Sequence, residues 1–543
     1  MYPDRAMFQK MVQDVQNLSA AGRETLLVLH GGPLRLRQIL ELVNKEGAAA
    51  QAGKGKEAIS ESALRKRLEI LIGRGIVAKA GGERTNPYYY IRRQWIFNQY
   101  ILVTCRDGAS GGLLDLPILL HELSHMAADG NAALPHPRFI TAVGERAERG
   151  HQVESAYGSF QDLLGNSSAI DDYLEEIYRD IYEGKVPESD INGLIARDFL
   201  RFVATAPPEE QEVRFFLWYA SFFHTLDLYQ EAHDAFRLGM ECAAGKNCDM
   251  SAILADTRIS LGHILLHLND LAGAKDAFLA TYRQSDTGPF LKAKSLFDAG
   301  EVGIFCGDIG PAQAPARFSL ALELCKKADP GEDDPDVQEL RGDIFRRIGT
   351  VHRVCGRLDE SEASYEQAES VYQDGIFRGL VWLIPEQAEL LRARAFLSPA
   401  PAADAFLVKA AVLYDEGKTA SQKVRNVNWF AHGLLGECEL ARVAYQKFGK
   451  PLPKDLETKY TNAFEIYSQI SSHWGIVQTY ISQALLYHAS SEAFPDKYAI
   501  TAEKIDQAER FSRELGLKTE LALIRKIKTS REPAPELHPL TFL

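Results

Sequence analysis

From about Glu212 to Gly516, apolar positions recur at helical spacing and group into units. One unit sets Phe216, Tyr219, Ala220 and Phe223 on a first helix and Ala232 and Phe236 on a second. The next sets Leu261, Gly262 and Leu265 before Ala274 and Phe278, and a later one sets Ile348 and Gly349 before Ser361, Tyr365 and Ala368. In each, a large-small pair on one helix faces a small residue and an aromatic on the next. The small residues let the two helices approach closely, and the aromatic fills the gap toward the following pair. Ala232 to Ala274 spans 42 residues and Ala274 to Ser361 spans 87, about two units. A lone helix pair cannot bury its apolar stripe, so the pattern predicts paired helices stacked in series.

Before the units, the pattern changes twice. The segments "GRETLLVLHGG", "LRLRQILELVNKEG" and "SESALRKRLEILIGRGIV" predict three helices, the third entered after the small-residue insert "AAAQAGKGKEA". Ser60 or Ser62 is placed to cap that third helix. Leu64, Leu68, Leu71 and Ile72 form its inward stripe and leave Arg65, Lys66 and Arg67 outside. "GIVAKAGG" and "NPYYYIRR" then read as two strands around a turn. Between this head and the units lies a helical linker. There Asp115 and Pro117 open a helix that Gly130 closes, and "TAPPEEQE" at 205–212 marks a break. The expected domains are 1–95, 96–206 for the linker, 207–520 for the array and 521–543 for a Pro-rich tail.

The large-small pairs facing small residues and aromatics resemble the tetratricopeptide family. The order helix, helix, helix, hairpin, with "ALRKRLEILIGRGIVAKAGG" and "YYYIRR", resembles the winged helix-turn-helix family. The expected fold is therefore mainly α: a winged helix domain, a helical linker and a tetratricopeptide-like α-solenoid. The first resemblance implies a concave groove lined by the first helix of each pair and occupied by a protein or peptide. Candidate groove residues are Arg258, His263, Arg346, Arg347, Arg425, Asn426 and Asn428, since Arg and Asn can grip a peptide backbone or carboxylate. Trp382, Trp429 and Trp474 are expected in the core. The second resemblance implies either a protein-docking head or contact with double-stranded DNA. In the latter case Ser62, Arg65 and Lys66 would enter the major groove, with Lys79 and Arg84 on the wing.

Charge sharpens that choice without deciding it. Residues 1–95 hold 16 Lys+Arg against 9 Asp+Glu, whereas the whole chain stands at −13. A basic head on an acidic body suits nucleic acid or an acidic partner protein. Seven scattered cysteines show neither a disulfide framework nor paired zinc spacing, and no stretch reaches the length of a membrane span. A cytoplasmic location without membrane contact is expected.

Two other chemistries bear on function. His121, Glu122 and His125 form HExxH within the Asp115–Gly130 helix. Residues i and i+4 share a helix face, so both imidazoles could hold one Zn²⁺, with Glu122 placed as general base. Glu145, Glu148, Glu154, His136 and His151 follow as candidate third ligands. "ILVTC", "HELSHM" and "QVESAYGSF" are loosely similar to the ImmA/IrrE metallopeptidases, and that similarity implies Glu154 as the third ligand. Ala128 and Asn131 stand where the metzincin continuation has Gly and His. The chain carries no phosphate-binding Gly-rich loop with Lys-Ser/Thr, no GxSxG and no dinucleotide fingerprint. Its order of head and array also resembles the portion that follows the nucleotide-binding domain in signal-transducing ATPases, which implies a separate ATPase or effector chain as partner. The leading expectation is a non-enzymatic regulatory or scaffold protein with no cofactor. The alternative is a zinc-dependent peptidase whose array selects substrate.

Overall fold

A computed structural model describes residues 14, 17–29, 33–49, 58–80, 87–91, 208–225, 229–244, 251–308, 313–331, 334–372, 377–423, 426–489 and 498–529. Among them are eighteen helices and three short strands. The chain divides into two compact units, Met1–Lys79 with Asn86–Ile264 and Ala80–Thr85 with Leu265–Leu543.

In the first unit the head runs α1 (Ala20–Leu29), β1 (Leu34–Arg35), α2 (Leu36–Ala49), α3 (Glu61–Gly73), β2 (Val77–Ala80) and β3 (Tyr88–Ile91). The sheet order is β1-β3-β2, with Leu34 opposite Tyr89 and Arg35 opposite Tyr88 in antiparallel register. Leu26, Leu29, Ile39, Val43, Leu64, Leu68 and Leu71 form the core, so α3 turns its apolar stripe inward as the spacing predicts. Ser60 caps α3 by accepting from Ala63 N at 3.2 Å. Asn44 bonds both backbone groups of Ile59, accepting from its N at 2.9 Å and donating to its O at 3.4 Å. That bracket pins the chain where the insert rejoins the domain and fixes the entry into α3.

The same unit holds α4 (Pro208–Thr225), α5 (Tyr229–Ala244) and α6 (Ser251–His267). Ala220, Ala232 and Phe236 are buried, and Gly239 lies against Phe216 and Leu217.

The second unit is an α-solenoid: α7 (Leu271–Arg283), α8 (Pro289–Phe305), α9 (Ala314–Ala328), α10 (Pro335–Val354), α11 (Leu358–Tyr372), α12 (Phe377–Leu397), α13 (Ala400–Lys423), α14 (Val427–Phe448), α15 (Leu456–Gln469), α16 (His473–Ala489), α17 (Tyr498–Glu514) and α18 (Lys518–Thr529). Each helix packs on its sequence neighbours, and the even-numbered helices α8 to α18 also touch one another in order, forming a continuous layer. The helices pair as tetratricopeptide units do, because glycines of the even layer admit aromatic rings of the odd one. Gly300 meets Phe318, Gly349 meets Tyr365, Gly436 meets Tyr414 and Gly475 meets Tyr467. Gly342 and Gly379 hold Tyr372 between them. All five of these tyrosine and phenylalanine rings on odd helices are at most 1% exposed.

The two ends of this unit meet. The Phe305 ring stands edge-on to Trp474 at 6.1 Å, Asn269 Nδ2 donates to Ser471 O at 3.3 Å, and Lys518 Nζ donates to Asp308 at 2.7 Å. Lys275 also pairs with Asp308. Helix α16 is buried at every position from Trp474 to Tyr487. A helix with no solvated face lies inside a body rather than along an open wall. The even layer of this unit is therefore largely interior.

Candidate functional site

The feature that sets the even layer apart is its chemistry. Five guanidiniums and five carboxylates run along it as a chain of ion pairs. Glu301 of α8 pairs with Arg347 of α10. Arg347 and Arg346 reach Glu386 of α12 at 3.6 and 3.9 Å, and Arg346 reaches Asp343 at 3.5 Å. Arg353 lies 3.0 Å from Glu386 and 3.5 Å from Glu389. Arg392 joins Glu389 at 2.5 Å to Glu439 of α14 at 3.2 Å, and Arg442 closes the chain on Glu439 at 2.7 Å.

These charges are buried: Arg392, Arg442, Glu386, Glu389 and Glu439 are wholly removed from solvent. Ions survive such removal only when paired and hydrogen-bonded. Hydroxyls from neighbouring helices add to the bonding. Tyr365 donates to Glu386 at 3.1 Å, Tyr372 to Asp343 at 2.6 Å, and Tyr414 to Glu389. Ser482 donates to Glu439 and lies 2.8 Å from Tyr460 OH. Burial and the facing carboxylates hold the Tyr365 and Tyr414 phenols well above their usual range, so they act as donors. Burial pushes the Glu301 carboxyl up, against the pull of Arg347 and Arg346. Arg353 and Arg392 are held more firmly charged by the acids and phenols around them, despite burial.

Beside this chain runs an aromatic line. The Arg346 guanidinium lies over Trp382 at 5.6 Å, Trp382 stacks on Trp429 at 6.3 Å and 20°, and Trp429 adjoins His432 at 6.2 Å. Helices α10, α12 and α14 thus each contribute to one line of rings. Trp382 keeps partial exposure, whereas Trp429 and Trp474 are 7% exposed, as expected of core residues. Arg346 Nε and Nη1 have no hydrogen-bond partner among the described residues.

Of the groove candidates, Arg346 and Arg347 lie in the ion-pair chain, 5% and 4% exposed, rather than on an open wall. The closure of the unit is the physical reason. Asn426 caps α14, accepting from Trp429 N at 3.0 Å, and Asn428 is half-buried beside it. Arg258 and His263 are half-buried on α6 in the first unit, where His263 helps burial to push His224 down to about 4. In the head, Ser62, Arg65 and Lys66 are exposed along α3, with Arg65 paired to Glu61 at 2.7 Å, and Lys79 is half-buried on β2. Arg84, His121, Glu122, His125, Glu154 and Arg425 lie outside the described residues.

Sequence reasoning passed over Arg353, Glu386, Glu389, Arg392, Glu439 and Arg442. A signal existed: Glu389-Leu-Leu-Arg392 and Glu439-Leu-Ala-Arg442 repeat one i,i+3 acid-base pair 50 residues apart, each amid apolar neighbours.

No family model matches this chain, and no curated protein matches it. Among solved structures, it is similar to a Rap protein complexed with competence and sporulation factor (11% identity, 70% of this chain and 98% of that one, TM-score 0.39). It is also similar to aspartyl phosphate phosphatase F from Bacillus subtilis (11%, 80% and 98%, TM-score 0.39). A third is a signal transduction ATPase with numerous domains and a tetratricopeptide repeat sensor, from Pyrococcus horikoshii (11%, 94% and 66%, TM-score 0.36). At these scores the likenesses say nothing of ligand or activity.

Proposed function

We propose that this chain is a regulatory or scaffold protein that binds an extended peptide, or a peptide segment of a partner protein, on the even layer of its array. The observation that carries this reading is the line Arg346–Trp382–Trp429–His432. It combines a partly exposed indole with a buried guanidinium beneath it whose Nε and Nη1 hydrogens lack hydrogen-bond acceptors among the described residues, so that a peptide reaches them only when the layer opens. Peptide carbonyls supply such acceptors, and apolar or proline side chains fit against the indole face. Panning a displayed peptide library against the full chain, followed by fluorescence anisotropy on the enriched sequences, tests it. Trp382→Ala is expected to weaken binding roughly thirtyfold or more, as for a central aromatic anchor. Enriched peptides that bind Trp382→Ala and wild type alike would remove this site from consideration.

The head supports a second contact. Its α-β-α-α-β-β order with a β1-β3-β2 sheet suits a winged helix, and Ser62, Arg65 and Lys66 stand exposed along one helix. Duplex binding through them would fall steeply with salt, because each neutralised phosphate releases counterions. A gel shift at low salt with no retarded band for any duplex leaves protein docking as the role of the head.

A further inference from the structure

The last described element of the second unit is α18, whose third residue is a buried acid. Glu520 is 7% exposed and makes no ion pair among the described residues. Gln478 of α16 donates its amide Nε2 to Glu520 Oε1 at 3.0 Å. The remaining oxygen on each side chain, Glu520 Oε2 and Gln478 Oε1, is buried and has no hydrogen-bond partner among the described residues. Two stranded acceptors on a bonded pair are what an ionised carboxylate leaves behind. One proton on Oε2 supplies the donor that both require.

We propose that Glu520 is carried as a neutral carboxylic acid in the closed stack, donating Oε2–H to Gln478 Oε1 while accepting from Gln478 Nε2, and that this acid-amide pair is a proton-dependent latch holding α18 on α16. The proton comes from solvent and returns to it when the latch opens. The latch lies at the seam where the ends of the unit meet. Lys518, two residues before Glu520, holds Asp308 beyond the end of α8, and Phe305 meets Trp474 one turn before Gln478.

Surrounding charges do not replace the proton. From the α8 side come Cys306, whose thiol is raised by burial and, to a lesser degree, by Asp308 and Glu520, and Asp308 itself, already held by Lys275 and Lys518. Charged side chains of the packed helices are engaged elsewhere: His473 of α16 lies against the Phe511 ring of α17 at 4.9 Å, and Glu509 of α17 pairs with Arg513 and Lys528. Burial raises the Glu520 carboxyl from 4.5 to about 7, with its own backbone amide and Gln478 opposing. A carboxyl raised on folding stabilises the closed form fully below its free value, and that stabilisation is lost as pH climbs to the folded value. The window is therefore about 4.5 to 7, with a plateau above.

Hydrogen exchange on the full chain, corrected for intrinsic rates, tests the latch. Wild-type protection of α18 amides is expected to fall about a hundredfold between pH 5 and pH 8, since each pH unit inside the window changes the opening equilibrium about tenfold. Glu520→Gln keeps an uncharged two-bond partner for Gln478, so its protection should stay flat over the same range. Glu520→Met, similar in size and unable to ionise, should also be flat. A flat wild-type profile, or variants that fall in parallel with wild type, overturns the proposal. Failure of both variants to fold counts against it equally, because each preserves the uncharged state.

Discussion

Single atoms decide how closely these helices approach. Built on Gly436, a Cβ would overlap the Tyr414 ring, and on Gly475 the Tyr467 ring; both rings are fully enclosed and have nowhere to turn. Gly436→Ala and Gly475→Ala are each expected to destabilise the second unit by about 1–3 kcal/mol, the usual effect of overfilling a packed core. The same substitution in an exposed helix would gain stability, because alanine is the better helix former. Gly288 gives the control: it caps α8, and a Cβ at that position would have no neighbour within 4 Å, so Gly288→Ser should be neutral or a few tenths of a kcal/mol stabilising. Urea denaturation of the three variants separates these outcomes. Near-zero effects at Gly436 and Gly475 would mean that the rings are less tightly held than they stand. This scale was partly legible in the sequence: Gly349 ahead of Tyr365 announces the small-aromatic match by spacing alone. The clamp of Tyr372 by Gly342 and Gly379 was not, because the two glycines belong to different helices and only packing brings them together.

At the scale of elements, helices α10, α12 and α14 are joined by ions where most repeat arrays would use apolar contacts. Glu439 and Arg442 show how much such a link is worth. Arg442 bonds Glu439 with both Nε at 2.8 Å and Nη2 at 2.7 Å, and its Nη1 donates to Gln446, whose own amide reaches Leu485 O on α16. Arg442→Met alone leaves the buried Glu439 carboxylate with one guanidinium, Arg392, where it had two, and Glu439→Leu alone takes both carboxylate bonds from the buried Arg442 while Arg392 keeps Glu389. Each single change is expected to cost about 3–5 kcal/mol. The double variant removes both charges together, so its cost should fall short of the summed singles by at least about 1 kcal/mol. A double-mutant cycle in urea reads that difference directly, and strict additivity would show that the pair is not coupled. The sequence concealed this link for a physical reason. A charged residue on an amphipathic helix normally marks the wet face, and nothing local distinguishes a wet face from one covered by helices far along the chain. The apolar stripe of α3 and the small-aromatic match of Gly349 with Tyr365 needed only local periodicity, and these could be read in advance.

At the scale of the whole second unit, the question is how a ligand reaches a layer that the stack encloses. The seam offers the weakest boundary. Lys275, Asp308 and Lys518 are 27%, 35% and 63% exposed at their side chains, so their attraction is screened by solvent and salt, unlike the enclosed pairs of the ion chain. Asp308 stays ionised because both lysines bond it and hold its carboxyl below the ordinary range. Asp308→Asn removes the anion and leaves two lysines facing each other. If peptides enter here, stopped-flow association of a peptide enriched against the full chain should quicken several-fold in Asp308→Asn, and added salt should quicken wild type toward the same rate while barely changing the variant. Salt acting on the exposed cluster alone explains that convergence, since the Glu439–Arg442 pair, with no solvent contact, is largely unscreened. Rates that ignore both the substitution and the salt, while Trp382→Ala still weakens binding, would place the entrance at another edge of the even layer and leave the seam as a structural closure only.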